Sequence, residues 1–368
     1  MRTLNQILNK IDSEDELTKD NFKFLLQLKD HGDIDLLFRK AYEIKQKYVG
    51  NKTYFRGIVE LSNICRKDCY YCGIRRSNKN VNRFVLKEEQ ILSAAKWAYE
   101  NNYGSVVLQS GERNDKAFIE FIEKTLIEIK KLSDGELGIT ISFGEQSYDT
   151  YKRWFEAGAH RYLLRIETSN PELYKKLHPP DHFFEERLNC LKMIKDIGYQ
   201  TGTGVMIGLP FQTVDDLVSD LFFFKEFDID MLGMGPYLVN EDTPLAKEFL
   251  NFEEKKDEQY LLGLKMIACA RILLRDVNIA STTALQALKY SGREMGLLAG
   301  ANIIMPNITP MEYREAYQLY DNKPCIDDDA ELCLDCLKQR IYGIESEIGY
   351  GEWGDSPHFK KKNLINNI

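Results

Sequence analysis

The chain of 368 residues contains no run of 18 apolar residues, and its first dozen residues, Met1 to Asp12, turn acidic where a secretory signal would carry an apolar core. A membrane-spanning helix needs about 20 apolar residues, and a signal peptide a shorter apolar stretch behind positive charge. The expectation is a soluble, cytoplasmic protein. No Gly/Ser-rich or Pro-rich linker interrupts the sequence, and no low-complexity segment stands out, so nothing marks a flexible division. Positive charge is not in excess: 49 Lys and Arg against 57 Asp and Glu give a net charge of −8. A general nucleic-acid binder would more often be basic. Histidine is scarce, with five in the chain.

Cysteine is what the chain does have. There are eight, and six fall into two tight triplets, Cys65/Cys69/Cys72 and Cys325/Cys333/Cys336. Clustered thiols in a cytosolic protein point to metal or redox chemistry rather than a disulfide framework. Cys190 and Cys269 stand apart on helical stretches and read as buried small hydrophobes.

Eight β-rich runs recur, at 53–61, 104–109, 137–143, 160–166, 200–207, 229–235, 277–283 and 301–305, with amphipathic helical stretches between them. Among these, 117–132 carries one apolar stripe, and 184–197 stops at Gly198. Parallel strands need helical crossovers, and eight such units suggest a complete (β/α)8 TIM barrel; an open doubly wound sheet is the alternative. The expected organisation is an N-terminal helical extension over 1–50, where Leu37, Ala41, Ile44 and Tyr48 share a helical face, a barrel over 51–310, and a C-terminal helix-and-loop extension over 311–368 packed on the barrel. Lys360 to Lys362 read as a solvated face, and His178 and His182, flanking Pro179-Pro180, as an exposed loop.

Cys65-Arg-Lys-Asp-Cys69-Tyr-Tyr-Cys72 has the spacing C-x3-C-x2-C and follows the first strand, which in a barrel is the rim where active sites gather. Three thiolates on one short loop can ligate three irons of a [4Fe-4S] cube and leave the fourth open. Structural zinc would want a fourth ligand, and the nearest preceding histidine, His31, lies 34 residues before Cys65.

At this point the chain resembles the radical S-adenosylmethionine (SAM) superfamily, in which C-x3-C-x-aromatic-C carries the catalytic cluster and the aromatic, here Tyr71, approaches adenine. The resemblance implies that Ser110-Gly111-Glu112 holds the SAM amino group. It implies too that Glu167, with Arg165, and Arg187 on the next helix contact SAM, and that Gly204 lets backbone approach adenosine. On the residues alone, Arg165 and Glu167 could be a rim salt bridge, and the glycine strand a bulge.

Over nearly the whole length the chain is similar to the HydE-type [FeFe]-hydrogenase maturases of the biotin synthase-like branch. The carrying segments include Ser62-Asn-Ile-Cys65, Val107-Leu-Gln-Ser-Gly-Glu112, Arg161-Tyr-Leu-Leu-Arg165, Ser281-Thr-Thr283, Gly300-Ala-Asn-Ile-Ile-Met-Pro-Asn307 and Tyr317-Gln-Leu-Tyr320. That resemblance implies a 5'-deoxyadenosyl radical acting on a cysteine-bound iron carbonyl cyanide precursor under anaerobic conditions. The implied partners are a ferredoxin or flavodoxin electron donor, a tyrosine lyase and a scaffold GTPase. Met231 would lie near SAM, and Thr282, Thr283 and Tyr317 would line an anion-accepting cavity. Cys325, Cys333 and Cys336 would hold a second [2Fe-2S] or [4Fe-4S] cluster; zinc or empty reduced thiols are the alternatives there. The chain departs from the family at Ile166, where a histidine is usual, and at Phe211, where a glycine is usual. A methylornithine synthase-like radical SAM mutase and a non-catalytic iron-sulfur carrier remain alternative readings.

Overall fold

The computed structural model describes residues 3–249, 251–326 and 330–366. Its strands are β1 (Lys52–Ser62), β2 (Ser105–Ser110), β3 (Gly138–Ser142), β4 (Arg161–Leu163), β5 (Gln200–Thr203), β6 (Met206–Ile207), β7 (Met231–Leu232), β8 (Gly235–Pro236), β9 (Asn278–Ile279), β10 (Ile303–Ile304) and β11 (Glu347–Ile348). Eight of them run parallel in the order β10-β1-β2-β3-β4-β5-β7-β9. All eight expected β-runs therefore contribute a strand, in chain order. The runs 200–207 and 229–235 each split in two, and their outer pieces, β6 and β8, pair with each other beyond the main sheet.

This is an α/β fold with a curled, barrel-like parallel sheet. A single isolated bridge, Ala280 to Ile303, lies between its edge strands β9 and β10. Two backbone bonds accompany it, from Asn302 N–H to Ile279 O and from Ser281 N–H to Ile303 O, both 2.9 Å. β9 and β10 are two residues each, too short for a continuous ladder.

The connecting helices follow the apolar periodicity. Lys116–Leu132 buries Phe118, Ile122, Thr125, Leu126 and Ile129, and its N-cap Asp115 accepts from Phe118 N–H. This stripe packs against the sheet because positions three and four apart share a helix face. Phe184–Ile197 stops at Gly198, whose φ of +101° a side chain would resist. Three helices, Leu4–Asp12, Lys19–Leu26 and His31–Tyr48, precede β1. Leu37 and Ala41 are fully buried, whereas Ile44 and Tyr48 are half-buried.

The C-terminal segment lies across the N-terminal ends of the strands. The Gly354 carbonyl accepts from Arg56 Nη2 at 3.0 Å and Asn278 Nδ2 at 2.8 Å, and Asp355 Oδ1 from Arg161 Nη2 at 2.7 Å and Gln200 Nε2 at 2.9 Å. The helix Pro357–Asn366 follows. The expectation of a solvated Lys360–Lys362 face holds for Lys360 and Lys361, which are exposed, and is corrected at Lys362: Lys361 Nζ pairs with Asp276 at 2.6 Å from the surface, whereas Lys362 Nζ is drawn in to Asp230 at 2.6 Å and Asp228 at 3.1 Å. The carboxylates stand on the loops before β7 and β9. Among the described residues no helix is long and apolar enough to cross a membrane.

Candidate active site

The loop from Asn63 to Phe84 leaves β1 at the C-terminal rim and folds back on itself. Arg83 stitches it, donating to the carbonyls of Asn63, Ile74, Arg75 and Asn78 at 2.6 to 3.0 Å. Asp68 accepts from Ser77 N–H at 2.9 Å, from Ser77 Oγ at 2.6 Å and from Arg75 at 3.1 Å. This brings Cys65, Cys69 and Cys72 together. The Glu112 N–H reaches Cys65 Sγ at 3.3 Å, and the backbones of Lys67 and Ile74 donate to Cys65 and Cys72. Burial pushes all three thiols up, Cys72 to about 12, and Cys65 and Cys72 add to the rise at Cys69. A thiolate cluster of this kind needs compensating positive charge, which bound iron supplies, and N–H donors to sulfur complete the fit to a [4Fe-4S] group.

Two glycines bring the acids in. A Cβ at Gly111 would stand 2.4 Å from the Ile64 carbonyl, and one at Gly144, where φ is +73°, 2.2 Å from Glu112 Oε2. β2 and β3 thus end in the same Gly-Glu step, and Glu112 and Glu145 meet above the sheet. Glu112 accepts from Arg66 Nε at 2.8 Å and from Glu145 N–H at 2.8 Å; burial and the neighbouring Glu145 push its carboxyl up. Glu145 is buried too, yet Arg187 and Lys67 hold its carboxyl down. Arg187 Nε donates to Glu145 Oε1 at 2.6 Å and Nη1 to the Arg165 carbonyl at 2.7 Å. Ser110 Oγ donates to its neighbour's carbonyl, Gly111 O, at 2.7 Å.

Arg165 Nη2 and Glu167 Oε2 are 3.1 Å apart, although both lie past the end of β4 and Glu167 adopts a φ of +67°. A non-glycine residue in that region is held there by its surroundings. Here the Gly204 carbonyl accepts from Glu167 N–H at 3.0 Å, and the Glu167 carbonyl from Met206 N–H at 3.2 Å. Burial pushes the Glu167 carboxyl up, against Arg165 and Arg187. Glu167 Oε2 meets Arg165 Nη2 as an ion pair but makes no hydrogen bond, and Arg165 Nε has no hydrogen-bond partner among the described residues. A buried ion pair with bonding capacity left over suits a zwitterionic ligand such as the methionyl part of SAM.

Tyr71 completes this face. Its hydroxyl lies 3.1 Å from His178 Nε2, and His178 Nδ1 lies 2.9 Å from the Tyr174 carbonyl, so Nδ1 donates and Nε2 accepts from Tyr71. His182 Nε2 accepts from Asp68 N–H at 2.9 Å. The expectation of an exposed loop at His178 and His182 is thereby corrected: they are 2 % and 6 % exposed, because they clasp the cysteine loop instead of facing water.

Other candidates fall elsewhere. A Cβ at Gly204 would collide with the Gly233 carbonyl at 2.2 Å, so this glycine permits strand approach. Met231 lies deeper, its Sδ 3.1 Å from Arg56 Nη1. Tyr317 is 1 % exposed, and its phenol, pushed up by burial, adjoins Glu60, Cys72 and Cys65. Thr282 caps the helix Thr283–Leu288, and Thr283 adjoins Tyr320. Ile166 is fully buried; Phe211 is half exposed at a φ of +69°, a conformation in which the family's glycine costs nothing.

Cys325 and the exposed Cys336 lie in the C-terminal extension, and the Cys333 side chain lies outside the described residues. Among the described residues no group of three or more His, Cys, Asp and Glu is placed to hold a metal ion, the rim cysteines included; the fit of Cys65, Cys69 and Cys72 to a four-iron cube rests on their spacing, shared burial and N–H donors. Cys190 and Cys269 are buried, as expected. Sequence reasoning missed Glu145, Lys67 and the two histidines; the repeat of Gly-Glu at Gly144-Glu145 was the available signal for the first.

Residues 59–224 match the Radical SAM superfamily, which fits a cysteine loop, paired acids and an arginine at one barrel rim. The class is that of radical SAM enzymes, which implies a [4Fe-4S] cluster and SAM. Across 350 residues, 95 % of this chain and 96 % of the relative, it is 45 % identical to the [FeFe] hydrogenase maturase subunit HydE of Thermotoga maritima, and it belongs to that family. It is also 28 % identical to 3-methylornithine synthase of Methanosarcina acetivorans over 81 % of this chain and 82 % of the relative. Two solved structures share the fold. Methylornithine synthase has a TM-score of 0.79 at 24 % identity, covering 95 % of this chain and 98 % of its own. The maturase HydG of Carboxydothermus hydrogenoformans has 0.77 at 22 %, covering 94 % and 79 %.

Proposed function

We propose that this radical SAM enzyme of [FeFe]-hydrogenase maturation binds its cluster through Cys65, Cys69 and Cys72 and SAM through the Glu112, Arg165, Glu167 and Arg187 face. The observation that carries this reading is the buried Arg165–Glu167 ion pair beside the cysteine loop, in which Arg165 Nε and Glu167 Oε2 make no hydrogen bond among the described residues. A [4Fe-4S] cluster held by Cys65, Cys69 and Cys72 would supply one-electron reduction of the SAM sulfonium, the chemistry that yields methionine and a 5'-deoxyadenosyl radical. The chain's own residues position and exclude. Glu112 and Glu167 offer acceptors for an ammonium group, Arg165 offers a donor for a carboxylate, and Arg187, bonded to Glu145 and to the Arg165 carbonyl, ties the loops after β3 and β4 together. Tyr71, braced by His178, presents a ring edge for adenine.

The substrate of this reading is a small cysteine-bound iron carbonyl cyanide complex, received at Thr282, Thr283 and Tyr317, whose hydroxyls can bond an anion without adding charge. Its partners are a ferredoxin or flavodoxin, a tyrosine lyase that supplies the precursor and a scaffold GTPase that takes the product. The sheet is read as a closed (β/α)8 barrel over 51–310, supported by the Ala280–Ile303 bridge. The helical extensions 1–50 and 311–368 flank it, and Cys325, Cys333 and Cys336 are an auxiliary [2Fe-2S] or [4Fe-4S] site. A non-catalytic carrier would not need the SAM face, and a methylornithine synthase-like mutase has the weaker sequence likeness.

The test is anaerobic reconstitution with iron, sulfide, SAM and dithionite, followed by chromatography for 5'-deoxyadenosine. Cys69→Ser is expected to abolish the product and Cys336→Ser to leave most of it. Equal loss from both would refute the division of roles.

A further inference from the structure

Among the described residues one buried acid faces no cation. Every other buried Asp or Glu pairs with a lysine or arginine, from Glu60 on Lys323 to Glu294 on Arg340. Asp220, on the helix Val214–Phe227, is fully buried, and the one charge that acts on it is that of another acid, Asp216. Burial pushes its carboxyl up to about 7. Oδ2 makes no hydrogen bond. Oδ1 takes two, from Ser169 N–H and from Ser169 Oγ, both at 2.6 Å. A buried carboxylate without a cation destabilises a fold, so Asp220 is to be explained by what it grips.

It grips the turn between two parts of the SAM face. Ser169 is the second residue after Glu167, whose φ of +67° needs support from both sides. On the N-terminal side, Ile166 N–H donates to Thr203 Oγ1 at 3.1 Å and Glu167 N–H to the Gly204 carbonyl at 3.0 Å. On the C-terminal side, beyond the Met206 bond to the Glu167 carbonyl, the anchor is the pair of bonds from Ser169 to Asp220. Asp216 Oδ1 joins it by accepting from Asn170 Nδ2 at 2.7 Å. Asn170 in turn caps the helix Pro171–Leu177, its Oδ1 accepting from Glu172 N–H at 2.9 Å. That helix ends against the cysteine loop, where the Leu177 carbonyl accepts from Tyr70 N–H at 2.9 Å and His178 accepts from the Tyr71 hydroxyl. The turn held by Asp220 therefore carries Glu167 on one side and the brace of Tyr71 on the other.

We infer that Asp220 is a positioning residue for SAM: by gripping Ser169 from the helix behind the rim, it fixes where the Glu167 carboxylate and, through the helix Pro171–Leu177, the Tyr71 ring meet the ligand. A carboxylate suits this task because one oxygen can accept two strong bonds at once. Both donors belong to one residue, so backbone and side chain are fixed together. Asp220 acts on the ligand only through Glu167 and Tyr71, and its loss weakens SAM binding without altering the chemistry that follows. The inference rests on reading the Arg165–Glu167 face as the SAM site.

The experiment uses the full, cluster-reconstituted chain under anaerobic conditions. SAM affinity is read by equilibrium dialysis with radiolabelled SAM, and KM and kcat from 5'-deoxyadenosine formation driven by dithionite. Asp220→Ala strands the Ser169 N–H and is expected to weaken SAM binding and raise KM by about tenfold, with kcat and bound iron unchanged. Asp220→Asn keeps an acceptor for Ser169 and removes the buried charge, and its affinity is expected to stay within about twofold of wild type. Ser169→Ala loses the Oγ bond, keeps the N–H bond and is expected to fall between the two, which tests the inference even where Asp220→Ala does not fold. SAM affinity unchanged in Asp220→Ala, or in Ser169→Ala where the former does not fold, would make Asp220 a structural acid. Equal weakening in Asp220→Ala and Asp220→Asn would assign the effect to charge rather than to the grip, and loss of kcat or iron along with affinity would assign it to the rim as a whole; each overturns the inference. A wild-type chain that binds SAM but yields no 5'-deoxyadenosine overturns only the proposed radical chemistry, whereas one that binds no SAM overturns the reading of the face and the inference with it.

Discussion

The two ends of the curled sheet are built from the same kinds of residue and treat them in opposite ways. At the N-terminal ends of the strands, Arg56, Arg161, Gln200 and Asn278 are closed off by the segment Trp353–Ser356, with Asp355 and the Gly354 carbonyl answering most of the donors and Arg56 Nε left over. At the C-terminal rim, Glu167 and Arg293 are buried and Arg165 and Thr282 partly so, and each keeps a polar atom with no hydrogen bond among the described residues. Charges at the bottom serve the stability of the protein, whereas those at the top wait for a ligand. The backbone does not share this contrast, since Glu167 holds a φ of +67° at the rim and Asn102, Asp134, Asp228 and Arg275 hold positive φ on the loops that lead into the strands. Unpaired polarity is tolerated where binding repays it.

Breaking the bottom network is expected to have the largest effect on stability. Asp355→Ala leaves the fully buried Arg161 without its carboxylate and should cost about 3 kcal/mol, read as a shift in the denaturant midpoint. SAM affinity of the folded fraction should hold, and a parallel loss of both would merge the two ends into one unit. At the rim, His178→Phe keeps a ring of similar shape but removes the acceptor for the Tyr71 hydroxyl. A KM for SAM raised by roughly tenfold, about 1.4 kcal/mol, with unchanged iron content and melting temperature, is the expected result; loss of iron instead would make His178 a structural support of the loop.

A pH titration sharpens the comparison further. Hydrogen bonds to Asp276 and Asp228 raise the His358 pKa above its ordinary value. A group raised in the folded state contributes fully below its unfolded pKa, near 6.5, and loses that contribution as pH climbs through the folded value. The melting temperature should therefore fall from mildly acid to mildly alkaline pH, and the slope should flatten in His358→Gln. The smallest effect is expected at Phe211, half exposed at a φ of +69° with Lys176 stacked 5.0 Å from its ring. Phe211→Gly relieves the backbone and should stabilise the chain by about 0.5–1 kcal/mol; a loss would show that the ring contact outweighs the strain.

Much of this was legible in the residues. The cysteine spacing, the Gly-Glu step after β2, the alternation of eight β-runs with amphipathic helices and the family resemblance are local or periodic signals, and each run gave a strand in the expected order. The histidines and Lys362 were misread because their partners are distant. His182 meets Asp68 across 114 positions, and Lys362 meets Asp228 across 134, separations at which spacing carries no information. Glu145 was overlooked because one acid after a strand is common; its value appears only when Gly144 lets Glu112 approach.

What the sequence determined by itself was therefore the chemistry available: three clustered thiols on a loop after the first strand, and a chain patterned to wrap a parallel sheet. Tertiary structure alone decided which charges are spent and which are kept. Whether an arginine is answered depends on what the fold brings within about 3 Å, and Arg161, matched by Asp355, and Arg293, matched by no described residue, look alike until the sheet curls and the C-terminal segment closes its base.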